Sequence, residues 1–129
     1  MTTVLVVDDD ADTQDALHML LEAEGYAVLE AHNGVEALHL LRTTPSPLVV
    51  LIDLQMPLLD GERVLWAVAA DEQLKMRTRS ILMTVHAHSL PLTLVRLLTH
   101  LHVPVLAKPF EVELVVALIA AAAHALPAH

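Results

Sequence analysis

Three consecutive aspartates, Asp8, Asp9 and Asp10, follow the apolar run "VLVV", and a fourth, Asp53, closes the run "LVVLID". Thr84 ends "SILMT", and Lys108, followed by Pro109, comes directly after "VPVLA". Crowded carboxylates repel one another, and burying any of them is costly. A hard divalent cation removes that conflict. Mg²⁺ (or Mn²⁺) takes oxygen ligands, often one or two carboxylates with waters completing the octahedron, and its charge offsets the repulsion. A hydroxyl and an ammonium are the groups that a transferred phosphoryl unit needs against its equatorial oxygens. Taken singly, each residue has a plainer role: the triplet as caps and solvated loop acids, Asp53 as a turn cap, Lys108 as a surface lysine. Together, at the ends of four apolar runs, they point to phosphoryl chemistry.

These residues converge only if the runs are parallel strands, and the intervening segments supply the helices for that. Continuous Val/Ile/Leu runs alternating with 3.6-residue periodicity mark a parallel sheet covered on both faces. Asp12 or Asp10 caps a first helix reaching about Glu24, with Ala16, Leu17, Leu20 and Leu21 on one face and Gly25 ending it. "YAVLEA" is a second strand, and "NGVEALHLL" a second helix aligning Val35, Leu38 and Leu41. After the loop "LQMPLLDG" a third helix carries Val64, Leu65 and Val68. The basic cluster Lys75, Arg77 and Arg79 in "KMRTRS" reads as a solvated loop. Ser89 is placed to cap a helix bearing Leu94, Leu97, Leu98 and Leu101, with Pro91 in its first turn. Pro104 marks the fifth strand as an edge or a strand start, and "EVELVVALIAAAAHAL" is the last helix. The fold class is therefore α/β: a doubly wound five-stranded parallel sheet with five helices, in one domain over residues 1–129. Ligands of such sheets bind at the carboxyl ends of the strands, where the strand order reverses.

Composition narrows the function classes. A net charge of -9 with only seven Lys and Arg argues against direct nucleic-acid binding. The absence of cysteine leaves oxygen and imidazole as metal ligands. No apolar stretch approaches the roughly 18 residues of a membrane span, and the first residues lack the basic segment of an export signal. A cytoplasmic protein is expected. The nine histidines include the pairs His86/His88 and His100/His102, without a third ligand at helical spacing, and are read as surface residues.

"VLVVDDD", "LVVLIDLQMPLLDG", "ILMT" and "AKPF" resemble, in order and spacing and over essentially the whole chain, the receiver domain of two-component response regulators. The resemblance implies a flavodoxin-like sheet of order 2-1-3-4-5. It implies Asp53 as phosphoacceptor, taking a phosphoryl group from a sensor histidine kinase, a phosphotransfer protein or a small donor. It further implies Mg²⁺ held by Asp9, by Asp8 largely through water, by Asp53 and by the backbone carbonyl of Gln55. Thr84 and Lys108 would meet phosphoryl oxygens, the Lys108–Pro109 bond would be cis, and Met56, Pro57 and Gly61 would shape the loop. Such a domain is not an enzyme in the ordinary sense, because it catalyses only its own phosphorylation and dephosphorylation.

The chain departs from the family at Val85, where Ala or Gly usually follows the switch hydroxyl. A β-branched side chain there narrows the mouth of the site, so Val85→Ala is expected to speed phosphorylation by acetyl phosphate; an unchanged rate would refute this. His86 and Gln55 occupy positions that influence phosphoryl lifetime. Val105 stands where the family places an aromatic ring, and none of the three rings, Tyr26, Trp66 and Phe110, sits there. Signalling is expected through the fourth helix, fifth strand and fifth helix, whose leucine excess suits a downstream partner or a homodimer.

Two other readings share these residues. A phosphohydrolase of the haloacid dehalogenase type wants an acid two residues after its nucleophile, where this chain has Gln55, and metal acids late rather than early. A pseudo-receiver, an interaction module with an unused site, draws on Val85 and Val105 but not on the complete set of acids, hydroxyl and lysine. "HALPAH" at the end reads as the start of a linker.

Overall fold

The apolar runs form five parallel strands: β1 (Thr3–Val7), β2 (Ala27–Ala31), β3 (Leu48–Asp53), β4 (Thr78–Thr84) and β5 (Val105–Ala107). Their order in the computed structural model, which describes residues 1–127, is β2-β1-β3-β4-β5. The final two residues of "HALPAH" lie outside the described residues. Among the described residues six helices cover the sheet: α1 (Ala11–Ala23), α2 (Gly34–Thr43), α3 (Gly61–Ala69), α4 (Glu72–Arg77), α5 (Leu92–Leu101) and α6 (Val112–Ala125). The switch in strand order falls between β1 and β3, which pair with Val7 opposite Ile52.

Strand alternation divides the core in two. Leu5, Val7, Val50, Ile52 and Leu82 face α2, α3 and α5, meeting Leu41, Val64, Leu65, Leu94 and Leu97. Val4, Val6, Val49, Leu51, Ile81 and Met83 face α1 and α6, meeting Leu17, Leu21, Val115 and Ile119. Because β1 and β3 are covered on both faces they are apolar at nearly every position, which is why they read as unbroken runs.

The helices differ from the sequence expectation in several places. The segment expected as a basic loop is α4. Asp71 accepts the Gln73 and Leu74 amides, and Leu74 is buried. The Arg79 Nη1 donates to the carbonyls of Lys75, Met76 and Thr78, closing the carboxyl end of that short helix. Strand β4 accordingly begins at Thr78, two residues earlier than expected. Ser89 does not cap α5: Pro91 stands at that position with no side-chain cap, while the Ser89 hydroxyl reaches back to the His86 carbonyl. Val35 is exposed, whereas Leu41 is buried as expected and Ala37 turns inward with it. Of the two candidates for capping α1, Asp10 does so, accepting the Thr13 amide and hydroxyl.

One ion-pair cluster braces the β2 side of the sheet. The His18 imidazole on α1 contacts Glu30 of β2 at 2.7 Å through Nδ1 and Glu22 at 3.3 Å through Nε2. The hydrogen bond to Glu30 raises the His18 pKa above its ordinary value, against the opposing effect of burial, with Glu22 adding to the rise. A folded-state pKa above the unfolded one gives stability that is complete below the unfolded value and lost as pH rises through the folded one. His18→Gln is therefore expected to flatten a small loss of stability that the wild type shows as pH rises past the ordinary histidine value, measured by urea unfolding. An equal slope in both proteins would count against the brace.

Candidate functional site

Strand register brings the predicted residues to one edge. The Asp8 amide donates to the Ala31 carbonyl at 3.1 Å, Leu54 to Met83 at 3.0 Å, and Lys108 to Thr84 at 2.9 Å. Each strand thus hands its last residue to the same rim. Asp8 is fully buried, Thr84 is 1% exposed and Asp53 is 8% exposed, whereas Asp9 is exposed.

Lys108 is the cation at the centre. Its Nζ donates to Asp8 Oδ2 at 2.8 Å and lies 3.5 Å from Asp53 Oδ2. Burial by itself would lower the Lys108 pKa, but the hydrogen bond to Asp8 and the charges of Asp53 and Asp8 outweigh it and hold the ammonium above its usual range. Asp53 moves the other way from most paired acids. Burial pushes its carboxyl upward, Lys108 opposes the rise, and the neighbouring Asp8 charge adds to it. The Lys108–Pro109 peptide is cis, as the resemblance implied. Asp10 takes no part in this group beyond donating its amide to Asp8 Oδ1 at 2.9 Å, and its side chain caps α1.

Ligand oxygens of Asp8, Asp9 and Asp53 all lie within 4.8 Å of one another. Two buried carboxylates that share the Lys108 ammonium, with an exposed third beside them, form a donor set of the hard, all-oxygen kind that suits Mg²⁺. Among the described residues no histidine joins a cluster of this type.

Thr84 reaches the rim, but its hydroxyl accepts the His86 amide at 3.0 Å within its own loop. Val85 is 63% exposed beside it. Gln55, Met56 and His86 line a recess of about 660 Å³ between the loops that follow β3 and β4. The β3–α3 loop is shaped by close approach: Gly61 donates its amide to the Leu54 carbonyl at 2.9 Å, and a Cβ at Gly61 would run into the Asp53 carbonyl oxygen. Gly61→Ala is therefore expected to cost about 3 kcal/mol, the upper part of the range for a forced overlap, in a urea titration. A loss under about 1 kcal/mol would show that the loop yields. Pro57 is exposed, and its carbonyl accepts the Leu59 amide at 2.8 Å.

Val105 is half-buried in a groove of about 960 Å³ between α5, β5 and α6. No ring fills it: Tyr26 and Phe110 pack against the α1/α6 core, and Trp66 on α3 is half-exposed, donating to Glu62. Sequence reasoning missed Gln14, which is buried beneath Asp8. Its spacing to Leu17 and Leu21, three and seven residues on, was the available signal.

Residues 4–120 match the model of the response regulator receiver domain. The chain belongs to that family. Receiver domains are signalling domains rather than enzymes in the ordinary sense, and their acidic cluster corresponds here to Asp8, Asp9 and Asp53. The transcriptional regulatory protein CpxR homolog of Haemophilus influenzae is 45% identical over 61 residues, covering 47% of this chain and 26% of that protein. Response regulator MprA of Mycobacterium tuberculosis is 43% identical over 61 residues, with the same coverage, 47% and 26%. The chain spans less than half the length of the curated relatives it is compared with, from 10% of one to 44% of another. Among solved structures, the receiver domain of the Francisella response regulator 1452 superposes with a TM-score of 0.83 at 25% identity, over 96% of this chain and 98% of that one. Response regulator TrrA of Thermotoga maritima, in complex with Mg²⁺ and BeF, shares the fold with a TM-score of 0.79 at 24% identity, over 94% and 98%. No helix among the described residues of this receiver is long and apolar enough to cross a membrane.

Proposed function

We propose that this receiver domain, occupying residues 1–129, accepts a phosphoryl group on Asp53 in a Mg²⁺-dependent reaction. The observation that carries the reading is the Lys108 ammonium set between Asp8 at 2.8 Å and Asp53 at 3.5 Å, with Asp9 beside them. Asp8, Asp9, Asp53 and the Gln55 carbonyl would hold the cation. When bound, Mg²⁺ neutralises charge on the phosphoryl oxygens. An Asp53 carboxylate oxygen attacks phosphorus as the bond to the donor breaks; a phosphohistidine nitrogen leaves with the electron pair and takes up a proton. Lys108, already charged and already aimed at Asp53, receives one phosphoryl oxygen. Thr84 would donate its hydroxyl proton to another, a proton that accepting the His86 amide leaves free.

The donor is a sensor histidine kinase, a phosphotransfer protein or a small acyl phosphate. The output face is α5, β5 and α6, where Leu92, Val95 and Leu114 stay exposed and Val95 lines the groove at Val105. A downstream protein or a second copy would read that face.

Incubation with Mg²⁺ and acetyl phosphate, followed by intact mass measurement, tests the reading. The wild type is expected to gain one phosphoryl group and Asp53→Asn none. A wild type that stays unmodified with both acetyl phosphate and its cognate kinase would favour the pseudo-receiver reading instead.

A further inference from the structure

Gln14 is 1% exposed, and its side chain does no work in the core that an apolar residue would not do better. Its carboxamide is instead spent on three backbone carbonyls. Nε2 lies 3.0 Å from the Val6 oxygen, 3.1 Å from the Asp8 oxygen and 2.8 Å from the Ala31 oxygen. Two hydrogens serve three acceptors, so one is shared. The orientation of the amide follows from its partners, because the opposite one would set an oxygen against three oxygens. Oε1 is buried and has no hydrogen-bond partner among the described residues, a cost that the other end of the group must outweigh.

The Asp8 carbonyl belongs to the planar peptide unit that joins Asp8 to Asp9. Holding that oxygen sets the tilt of the plane, and with it the directions in which the two acids leave the backbone. The Ala31 carbonyl ties the same point to the end of β2, since it also accepts the Asp8 amide at 3.1 Å. Other contacts of this segment run to side chains: Lys108 and the Asp10 amide hold the Asp8 carboxylate. Gln14 supplies the contact that orients the peptide itself.

We propose that Gln14 is a positioning residue for the cation site, fixing the Asp8–Asp9 peptide so that the two carboxylates converge with Asp53. The proposal rests on the Mg²⁺ reading given above. Groups that orient metal ligands from behind typically change affinity by about 10- to 100-fold when removed.

The test uses Gln14→Met, which keeps length and volume but offers no donor, with Leu17→Ala as a control that loosens the same helix away from the site. Mn²⁺ binding followed by electron paramagnetic resonance, at a temperature where all proteins are folded, is expected to weaken about tenfold in Gln14→Met and to stay within about twofold of wild type in Leu17→Ala. Unchanged Mn²⁺ affinity in Gln14→Met, or an equal loss in Leu17→Ala, would overturn the proposal and leave Gln14 a purely structural residue. If Gln14→Met does not fold, Mg²⁺ titration of the ¹⁵N-labelled wild type decides instead. The Gln14 side-chain amide signals should shift with the same midpoint as the Asp8 and Asp9 amides, and an indifferent Gln14 would overturn the proposal. Failure of the underlying reading looks different: a wild type that binds no Mn²⁺, or an Asp9→Asn variant that binds it as tightly as wild type, would sink both.

Discussion

Lys108→Met is expected to cost about 3–5 kcal/mol of unfolding free energy in metal-free buffer at neutral pH, the range for removing one partner of a buried ion pair. The loss has little to do with packing, since methionine occupies similar volume. It arises because Asp8 is fully buried and Lys108 is the cation paired with it at 2.8 Å. Without that charge, two carboxylates face each other across the rim, and the Asp53 pKa, already raised by burial, loses its main opposing influence. A raised carboxyl pKa gives stability that is present at low pH and lost as pH rises through the folded value. The deficit of Lys108→Met against wild type should therefore shrink on acidification. Mg²⁺ should stabilise the variant more than it stabilises wild type, because the cation takes over a duty that the lysine no longer performs. Urea titrations with and without Mg²⁺ at two pH values check all of this. A deficit under about 1 kcal/mol that is indifferent to metal would mean that Asp8 finds its compensation elsewhere.

The site was legible because its chemistry sits where sheet topology is simplest. A parallel sheet delivers the residue after each strand to one edge whatever the helices do in detail. Asp8, Asp53 and Lys108 could therefore be placed together from run ends alone. The rest depends on side-chain direction, which periodicity does not carry. Thr84 stands at the expected strand end, but that its hydroxyl accepts the His86 amide could not be read from run ends. Helix α4 was lost because six residues are too few for a periodic pattern, and its ends are closed by Asp71 and by an arginine beyond it, Arg79, rather than by glycine. Ser89 failed as a cap because the chain between it and α5 runs through Leu90 and Pro91 before the helix begins. Gln14 went unseen because a glutamine on a helix surface is ordinarily solvated, and only three backbone carbonyls converging on one point give it a reason to be inside.

The same electrostatics make the acceptor itself a source of instability. Asp53→Asn removes a carboxylate whose burial and whose neighbour Asp8 both disfavour its charge, leaving Lys108 paired with Asp8. In metal-free buffer at pH 7 the variant is expected to be more stable than wild type by about 1 kcal/mol or more, the scale of one avoided desolvation penalty. Because the folded pKa of Asp53 lies above its unfolded value, the wild type regains that difference as pH falls through the folded pKa and toward the unfolded one. The advantage of the asparagine variant should vanish there. Added Mg²⁺ should also narrow it, since the cation favours the carboxylate form that only the wild type can offer. A thermal unfolding series across pH, with and without Mg²⁺, measures each limb. An Asp53→Asn protein less stable than wild type at neutral pH would show that the Lys108 contact at 3.5 Å outweighs burial and the Asp8 charge. The acceptor would then be a stabilising member of its site, and relief of buried charge could not contribute to drawing in the cation.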